Sequence, residues 1–325
     1  MAIKTNTYTT YSVKGMREDL SDIISNISPE DTVFMSNVGK TDVKNTYFEW
    51  QQDALASVDT ANAQLEGDDV DSGTLQAATA TTRIGNYVQI SRKTAIVSGT
   101  MEATDRAGRN KEMAYQMSKR SAELKRDMES IALSNQAAVA GNTTTARKTG
   151  SLLAFLKTNV NSQSGNGGAD PSYTTVPNDT RDDDGTPVAF TETILKNVIQ
   201  QVWASGGTPK IVQMGPVNKQ KASAFTGIAS QRFNVQGAKP STIIGSADIY
   251  VSDFGNVSFV CSRFQRERDV FVLDPEYIKF AYLRPFHQVQ LAKTGDAEKR
   301  VIQVEWGLQV VNEAALGLAA DLTTS

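Results

Sequence analysis

Lys293-Thr294-Gly295, six residues after His287, the only histidine, is the tripeptide most suggestive of chemistry in this 325-residue chain. In penicillin-binding proteins and class A β-lactamases such a box flanks a serine activated within Ser-x-x-Lys. Here no serine has lysine three positions on and Ser-Asp-Asn is missing, so the box lacks its nucleophile. His287 has no second histidine and no nearby cysteine with which to hold a metal. Asp253-Phe254-Gly255 matches a kinase magnesium loop, yet the partner His-Arg-Asp is impossible because His287 is followed by Gln288. Asp182, Asp184 and Gly185 fall at positions three, five and six of a calcium loop, but Thr180 and Thr191 stand where its first carboxylate and bidentate Glu belong. The stretch Gly165 to Gly168 lacks the spacing and the preceding strand of a phosphate cradle. We therefore expect no catalytic, cofactor-binding or metal residues and no cofactor. Cys261, the single cysteine, rules out an intrachain disulfide and a multi-cysteine zinc site, and its apolar setting VSFVCSRF predicts a buried thiol.

The elements around these residues read as architecture. Gly295-Asp296 sits between two alternating segments, Gln288 to Lys293 and Arg300 to Val311, which is the pattern of a β-hairpin. In VIQVEWGLQVV the residues Ile302, Val304, Trp306, Leu308 and Val310 alternate with Gln303, Glu305, Gly307 and Gln309, predicting an antiparallel strand with one buried face. Met113, Met117, Leu124, Met128 and Ile131 form one stripe, so a helix is expected from about Asp105 to Gln136, about 45 Å long at 1.5 Å per residue. A second helix is expected near Glu192 to Ala204, then a strand at Lys210 to Met214, a helix after Pro216, and strands at Ile249 to Ser252, Val257 to Cys261 and Val270 to Leu273. Residues Asn159 to Pro187 are rich in Gly, Ser, Asn, Asp and Pro; they read as a surface loop, with Arg181 cut by trypsin before Arg120 or Arg126.

The first 40 residues are polar, with one short amphipathic patch at Leu20, Ile23, Ile24 and Ile27. Residues Lys44 to Trp50 and Arg83 to Val97 favour strand, with Ile84, Val88, Ile90 and Ile96 read as one face. Between them runs a polar excursion around GDDVDSG, Gly67 to Gly73, with little that could form a core of its own. Thirty-three basic and 36 acidic residues leave a net charge of -3, which argues against a chain that grips nucleic acid through its phosphates. Apolar residues make up 39%, enough for a large buried core. No segment approaches the ~18 consecutive apolar residues of a membrane span and no signal-peptide core is visible, so a chain made in the cytosol and associated with no membrane is expected.

Three segments carry a family resemblance: Ser98 to Ser130 (SGTMEATDRAGRNKEMAYQMSKRSAELKRDMES), Gly245 to Phe286 (GSADIYVSDFGNVSFVCSRFQRERDVFVLDPEYIKFAYLRPF) and Leu291 to Ala315 (LAKTGDAEKRVIQVEWGLQVVNEAA). With the order of elements, they resemble the major capsid proteins of tailed bacteriophages. The resemblance implies an α+β chain of the Hong Kong 97-type (Johnson) fold: an N-terminal arm (1–40), an extended β-loop (41–97), a peripheral domain with a long spine helix (98–137), an axial domain (138–269) and return strands of the peripheral domain (270–325). It further implies self-assembly into hexamers and pentamers of an icosahedral head, built in the host cytoplasm and enclosing double-stranded DNA by weak contact. Scaffolding, portal and decoration proteins would be its other partners.

In this reading the excursion meets a neighbouring subunit. Trp50 and Ile84 on its strands, Glu66, Asp68, Asp69 and Asp71 at its tip, and Lys293 and Asp296 in the C-terminal hairpin are the expected intersubunit contacts. The alternative is a cellular nanocompartment shell of the same fold, an encapsulin, loaded with enzyme rather than DNA. A serine hydrolase built around Lys293 is the third reading, and labelling by a fluorophosphonate or penicillin probe would support it.

Overall fold

The computed structural model describes residues 31–64, 66–67, 80–104, 111–162, 168–183, 186–225 and 249–324. In chain order these form α1 (Val33–Asn37), β1 (Gly39–Asp42), β2 (Tyr47–Gln52), β3 (Thr82–Tyr87), β4 (Gln89–Ser98), α2 (Gly99–Ala103), α3 (Glu112–Ala132), α4 (Leu152–Phe155) and β5 (Val160–Ser162). There follow α5 (Glu192–Ala204), β6 (Ile211–Met214), α6 (Pro216–Ser223), β7 (Ile249–Ser252), β8 (Gly255–Cys261), β9 (Val270–Leu273), β10 (Ile278–Gln290), β11 (Ala297–Val310) and β12 (Gly317–Ala320). The amphipathic patch at Leu20 to Ile27 lies outside the described residues.

The methionine stripe does what its spacing predicts. Met113, Met117, Leu124 and Met128 are buried along one side of α3, against a four-stranded sheet ordered β1-β10-β11-β4. This spine helix begins at Glu112, and residues 105–110, where it was expected to start, lie outside the description. Its 21 residues span about 32 Å. Lys111 at the N-cap offers no side-chain bond, and Glu102 supplies the missing acceptor: its Oε2 receives the N–H groups of Glu112 (3.2 Å) and Met113 (3.4 Å). Trp306 of β11 is fully buried beneath the helix, its Nε1–H satisfied by Ser91 Oγ at 3.0 Å.

The second layer is a six-stranded sheet, β5-β12-β9-β6-β8-β7. Leu195, Val198, Ile199 and Val202 of α5 are buried in its core as their spacing predicts. Thr191 caps α5 through its hydroxyl, and Gly206 (φ 88°) lies in the left-handed region just past the helix end. Asp253-Phe254 is the turn between β7 and β8, and Gly255 takes φ 133° there.

Four expectations are corrected. Gln89–Ser98 belongs to the four-stranded sheet, pairing antiparallel with β11, so the excursion ends near Tyr87 rather than at 97. The break after Val88 also inverts the inward face: Ser91, Ala95 and Val97 point to the core, while Ile90 and Ile96 point out. β11 is covered on both faces, because Glu305 and Gly307 are buried together with the alternating apolar set. A Cβ on Gly307 would sit 2.8 Å from the Phe48 ring, which shows what covers the second face: the β2-β3 hairpin.

The fourth correction concerns Asn159 to Pro187. Most of its described residues from 168 on are exposed, as expected of a surface loop, but several others are packed into the body. Asn159 Nδ2 donates to the carbonyls of Ala314 (2.7 Å) and Leu316 (3.0 Å), β5 adds in parallel to β12, and Tyr173 is buried with its hydroxyl on Phe155 O at 2.8 Å. Arg181, the expected first trypsin site, is buried. Polar composition misled because these polar groups bond the backbone of neighbouring elements.

Candidate functional site

The base of the excursion is held by its own subunit. Phe48 forms a small core with Val88 and Ala281, and Trp50 stacks near Phe48 and Phe155 while its Nε1–H donates to Val311 O at 3.2 Å. Ile84 is buried in the main core. Of the two strand residues expected to touch a neighbouring subunit, Ile84 is buried within its own chain and Trp50 is half-buried there. Gly85 leaves room for the Tyr47 ring, whose hydroxyl would lie 2.5 Å from a Cβ at that position.

Beyond Gln52 the excursion leaves the body. Leu55 is 100% and Val58 91% exposed, and Glu66 is exposed as well. Asp68, Asp69 and Asp71 lie outside the described residues. Leu55 and Val58 are contact candidates that reading the sequence missed; the signal available was two isolated aliphatic residues in an otherwise small and acidic stretch.

Lys293 and Asp296 are exposed in the β10-β11 turn, where Gly295 adopts φ 87°. The structure brings them together with Gly99, Glu102 and Met113 around a cleft of about 170 Å³. Asp296 O accepts the Gly99 N–H at 3.0 Å, tying the turn to α2. The Lys-Thr-Gly box is thus the tip of a β-hairpin. Nearby His287 stands on β10 with Nδ1 3.0 Å from Pro285 O. Cys261 is exposed rather than buried, a correction explained by its position as the last residue of β8. Partial desolvation, then the Glu267 carboxylate, push its thiol above the usual range, the opposite of an activated nucleophile.

Two buried carboxylates hold segments together. Glu129 of α3 is fully buried and accepts the Met35 N–H of α1 at 3.2 Å, so the last stretch of the arm is bonded to the spine helix. Burial holds its carboxyl above the ordinary range despite those backbone donors. Asp269, 1% exposed, lies 3.3 Å from Arg266 Nε, with Asp183, Arg181 and Asp321 also facing it. Desolvation outweighs Arg266 and pushes Asp269 up to about 6.

A raised folded-state value means that protonation favours the fold. That contribution is complete below an ordinary carboxylate value of about 4 and is lost as pH rises through about 6. Asp269→Asn, which stays neutral, should therefore gain on the natural chain by about 3 kcal/mol between pH 4 and pH 7, two pK units' worth. Urea midpoints of both chains at pH 4.5 and 7 test this; parallel shifts would show that Asp269 does not titrate in that window.

Among the described residues no group of histidine, cysteine, aspartate and glutamate side chains could hold a metal ion, and no helix is long and apolar enough to cross a membrane. The site this chain offers is a set of surfaces. Comparison with known proteins agrees with that reading. A family model described as SU10 major capsid protein matches residues 3–323. The major capsid protein of Escherichia phage Phieco32 is 30% identical over 346 aligned positions, covering 96% of each chain. Among solved structures, the capsid asymmetric unit of cyanophage A-1(L) superposes with a TM-score of 0.68 at 11% identity, covering 97% of this chain and 99% of that one. The SrpI encapsulin of Synechococcus elongatus superposes at 0.55 with 12% identity, covering 96% and 94%.

Proposed function

The chain belongs to the SU10 major capsid protein family, and from that premise we propose how it builds its shell. It is a phage major capsid protein with the Hong Kong 97-type fold, and so a component of the virion. The proposal is that copies associate into hexamers and pentamers through the excursion, closing an icosahedral head around double-stranded DNA. The observation that carries it is the pairing of a hairpin base locked to its own subunit with a segment whose Leu55 and Val58 are exposed to solvent.

In this reading the four-stranded sheet with α3 is the peripheral domain and the six-stranded sheet with α5 the axial domain. The exposed Lys293-Asp296 turn and the acidic residues from Glu66 to Asp71 contact neighbouring copies. The role is structural, not catalytic. A net charge of -3 suits it, because a wall that bound phosphate tightly would hinder passage of the genome. Assembly takes place in the host cytoplasm, with scaffolding, portal and decoration proteins as further partners. The encapsulin alternative is disfavoured because the likeness to a nanocompartment is one of fold alone, whereas the phage relative also matches in sequence along nearly the whole chain.

Electron microscopy of the purified protein, alone and co-expressed with the scaffold from its own genome, tests the assignment. Closed shells or capsomer rings are expected. Strictly monomeric protein under every condition would refute it.

A further inference from the structure

Residues 168–183 form a loop whose two ends meet. The Asp182 N–H donates to Ala169 O at 3.0 Å and the Arg181 guanidinium is bonded to Asp170, so the neck of the loop is closed by its own chain. Its middle is tied to other elements: Thr175 O accepts the Gly85 N–H and Pro177 O the Ala138 N–H, both at 2.8 Å. The neck meets a different surface, the turn between β8 and β9 and the end of β12. There Arg266 donates to both oxygens of Asp183, at 2.6 and 2.7 Å, and Asp321 joins Arg181 to Arg268.

Asp269 stands within this contact and is poorly partnered. Its Oδ2 lies 3.3 Å from Arg266 Nε, an ion pair by distance, yet that buried oxygen makes no hydrogen bond, and Arg266 is already engaged by Asp183. Four charged groups face it: Arg266 and Asp321 from the body, Asp183 and Arg181 from the loop. Burial raises its carboxyl most; Arg266 and Arg181 oppose that, while Asp183 and Asp321 add to it. The neck carries Asp170, Arg181 and Asp183, one net negative charge, and exposed Asp182 makes it more negative. Its seat carries Arg266, Arg268, Asp269 and Asp321, neutral when Asp269 is ionised and positive when it is protonated. A negative neck on a positive seat is the favourable pairing.

We propose that the Asp269 carboxyl is a proton-operated latch: protonated, it fastens the neck of the 168–183 loop to the turns flanking the six-stranded sheet; ionised, it competes with Asp183 for Arg266 and loosens the neck. Linkage sets the direction. Seating the loop brings Asp183 against Asp269 and shuts out water, both of which favour the protonated carboxyl, so the proton in turn favours the seated loop. The fastening is complete below the ordinary carboxylate value of about 4 and is lost as pH rises through about 6. Tyr173, buried with its hydroxyl on Phe155 O, keeps the middle of the loop in place, so loosening is confined to the neck.

Hydrogen–deuterium exchange of the full-length chain at pH 5 and pH 7.5, corrected for intrinsic rates, tests the latch at labelling times too short for α3 and β11 to exchange. Peptides covering 168–172 and 179–183 should lose protection about tenfold at the higher pH, the ratio expected of one carboxyl that titrates at about 6 seated and about 4 released. Asp269→Asn, permanently uncharged, should abolish the difference and keep the neck as protected as at pH 5. Equal protection of the natural chain at both pH values, or a tenfold loss that persists in Asp269→Asn, would overturn the latch. Exchange that reaches the neck only together with α3 and β11 would overturn it too, because the carboxyl would then act through unfolding of the whole subunit.

Discussion

Replacing residues 54–80 with a short Gly-Ser turn is expected to abolish closed shells and leave the subunit folded. The described residues of that segment are all exposed, Leu55 and Val58 among them. What remains is anchored by Phe48 over Gly307, by Trp50 against Phe155 and Val311, and by buried Ile84. Loss of exposed chain of this kind should change folding stability by no more than about 0.5 kcal/mol. Assembly is different. Burying Leu55 and Val58 against a neighbour is worth about 1.5–3 kcal/mol each, whereas each exposed acid-base pair adds only about 0.2–1 kcal/mol. Losing both anchors therefore weakens each contact by about 3–6 kcal/mol, or roughly a hundred- to ten-thousand-fold. Circular dichroism should match the natural chain while sedimentation and microscopy show subunits without shells. Normal shells from this variant would mean that the excursion joins nothing.

How much of this could be read from residues alone depended on whether a pattern was local. The stripe Met113, Met117, Leu124, Met128 and the pair of turn residues Gly295-Asp296 state their elements within a few positions, and α3 and the β10-β11 hairpin follow. Where a second element covers a face, the local pattern misleads. Glu305 and Gly307 look like the solvent side of β11, but Gly307 has no side chain because the Phe48 ring occupies that space, and Glu305 is buried with Arg284 as its partner. Ile90 and Ile96 look like core because an alternating run was read straight through Val88, where the chain passes from one sheet to another. Only the strand register, a property of three strands together, shows which face of the sheet each residue belongs to. Cys261 carries the same lesson: apolar neighbours in sequence do not bury a residue at the end of a strand.

Arg181 is the residue most badly served by composition, and Arg181→Met should be the most damaging single substitution in the 159–187 segment. Its side chain is wholly buried, bonded to Asp170 and, at 3.0 Å, to Asp321, while its backbone N–H and carbonyl are both held by Asn135. Asp321 itself adopts φ 57°, a left-handed conformation that aspartate and asparagine tolerate better than most residues, and it is also bonded by Arg268 at 3.3 Å. The guanidinium thus clamps the loop to the C-terminal strand end through a carboxylate that solvent does not reach. Removing one partner of a buried pair costs about 3–5 kcal/mol, because the other charge is left without its counter-ion. Arg268 remains as a second partner for Asp321, so the lower end of that range is expected. Asp321→Asn keeps the backbone tolerance and removes the charge, and the double variant should cost less than the two single losses summed, the signature of direct coupling. Urea denaturation of the three variants measures these quantities. Limited trypsin digestion gives an independent readout: in the natural chain Arg181 should resist cleavage, and in Asp321→Asn the bond after Arg181 should become a preferred site. Additive costs below about 1 kcal/mol each would mean that the clamp carries no more than a surface pair does.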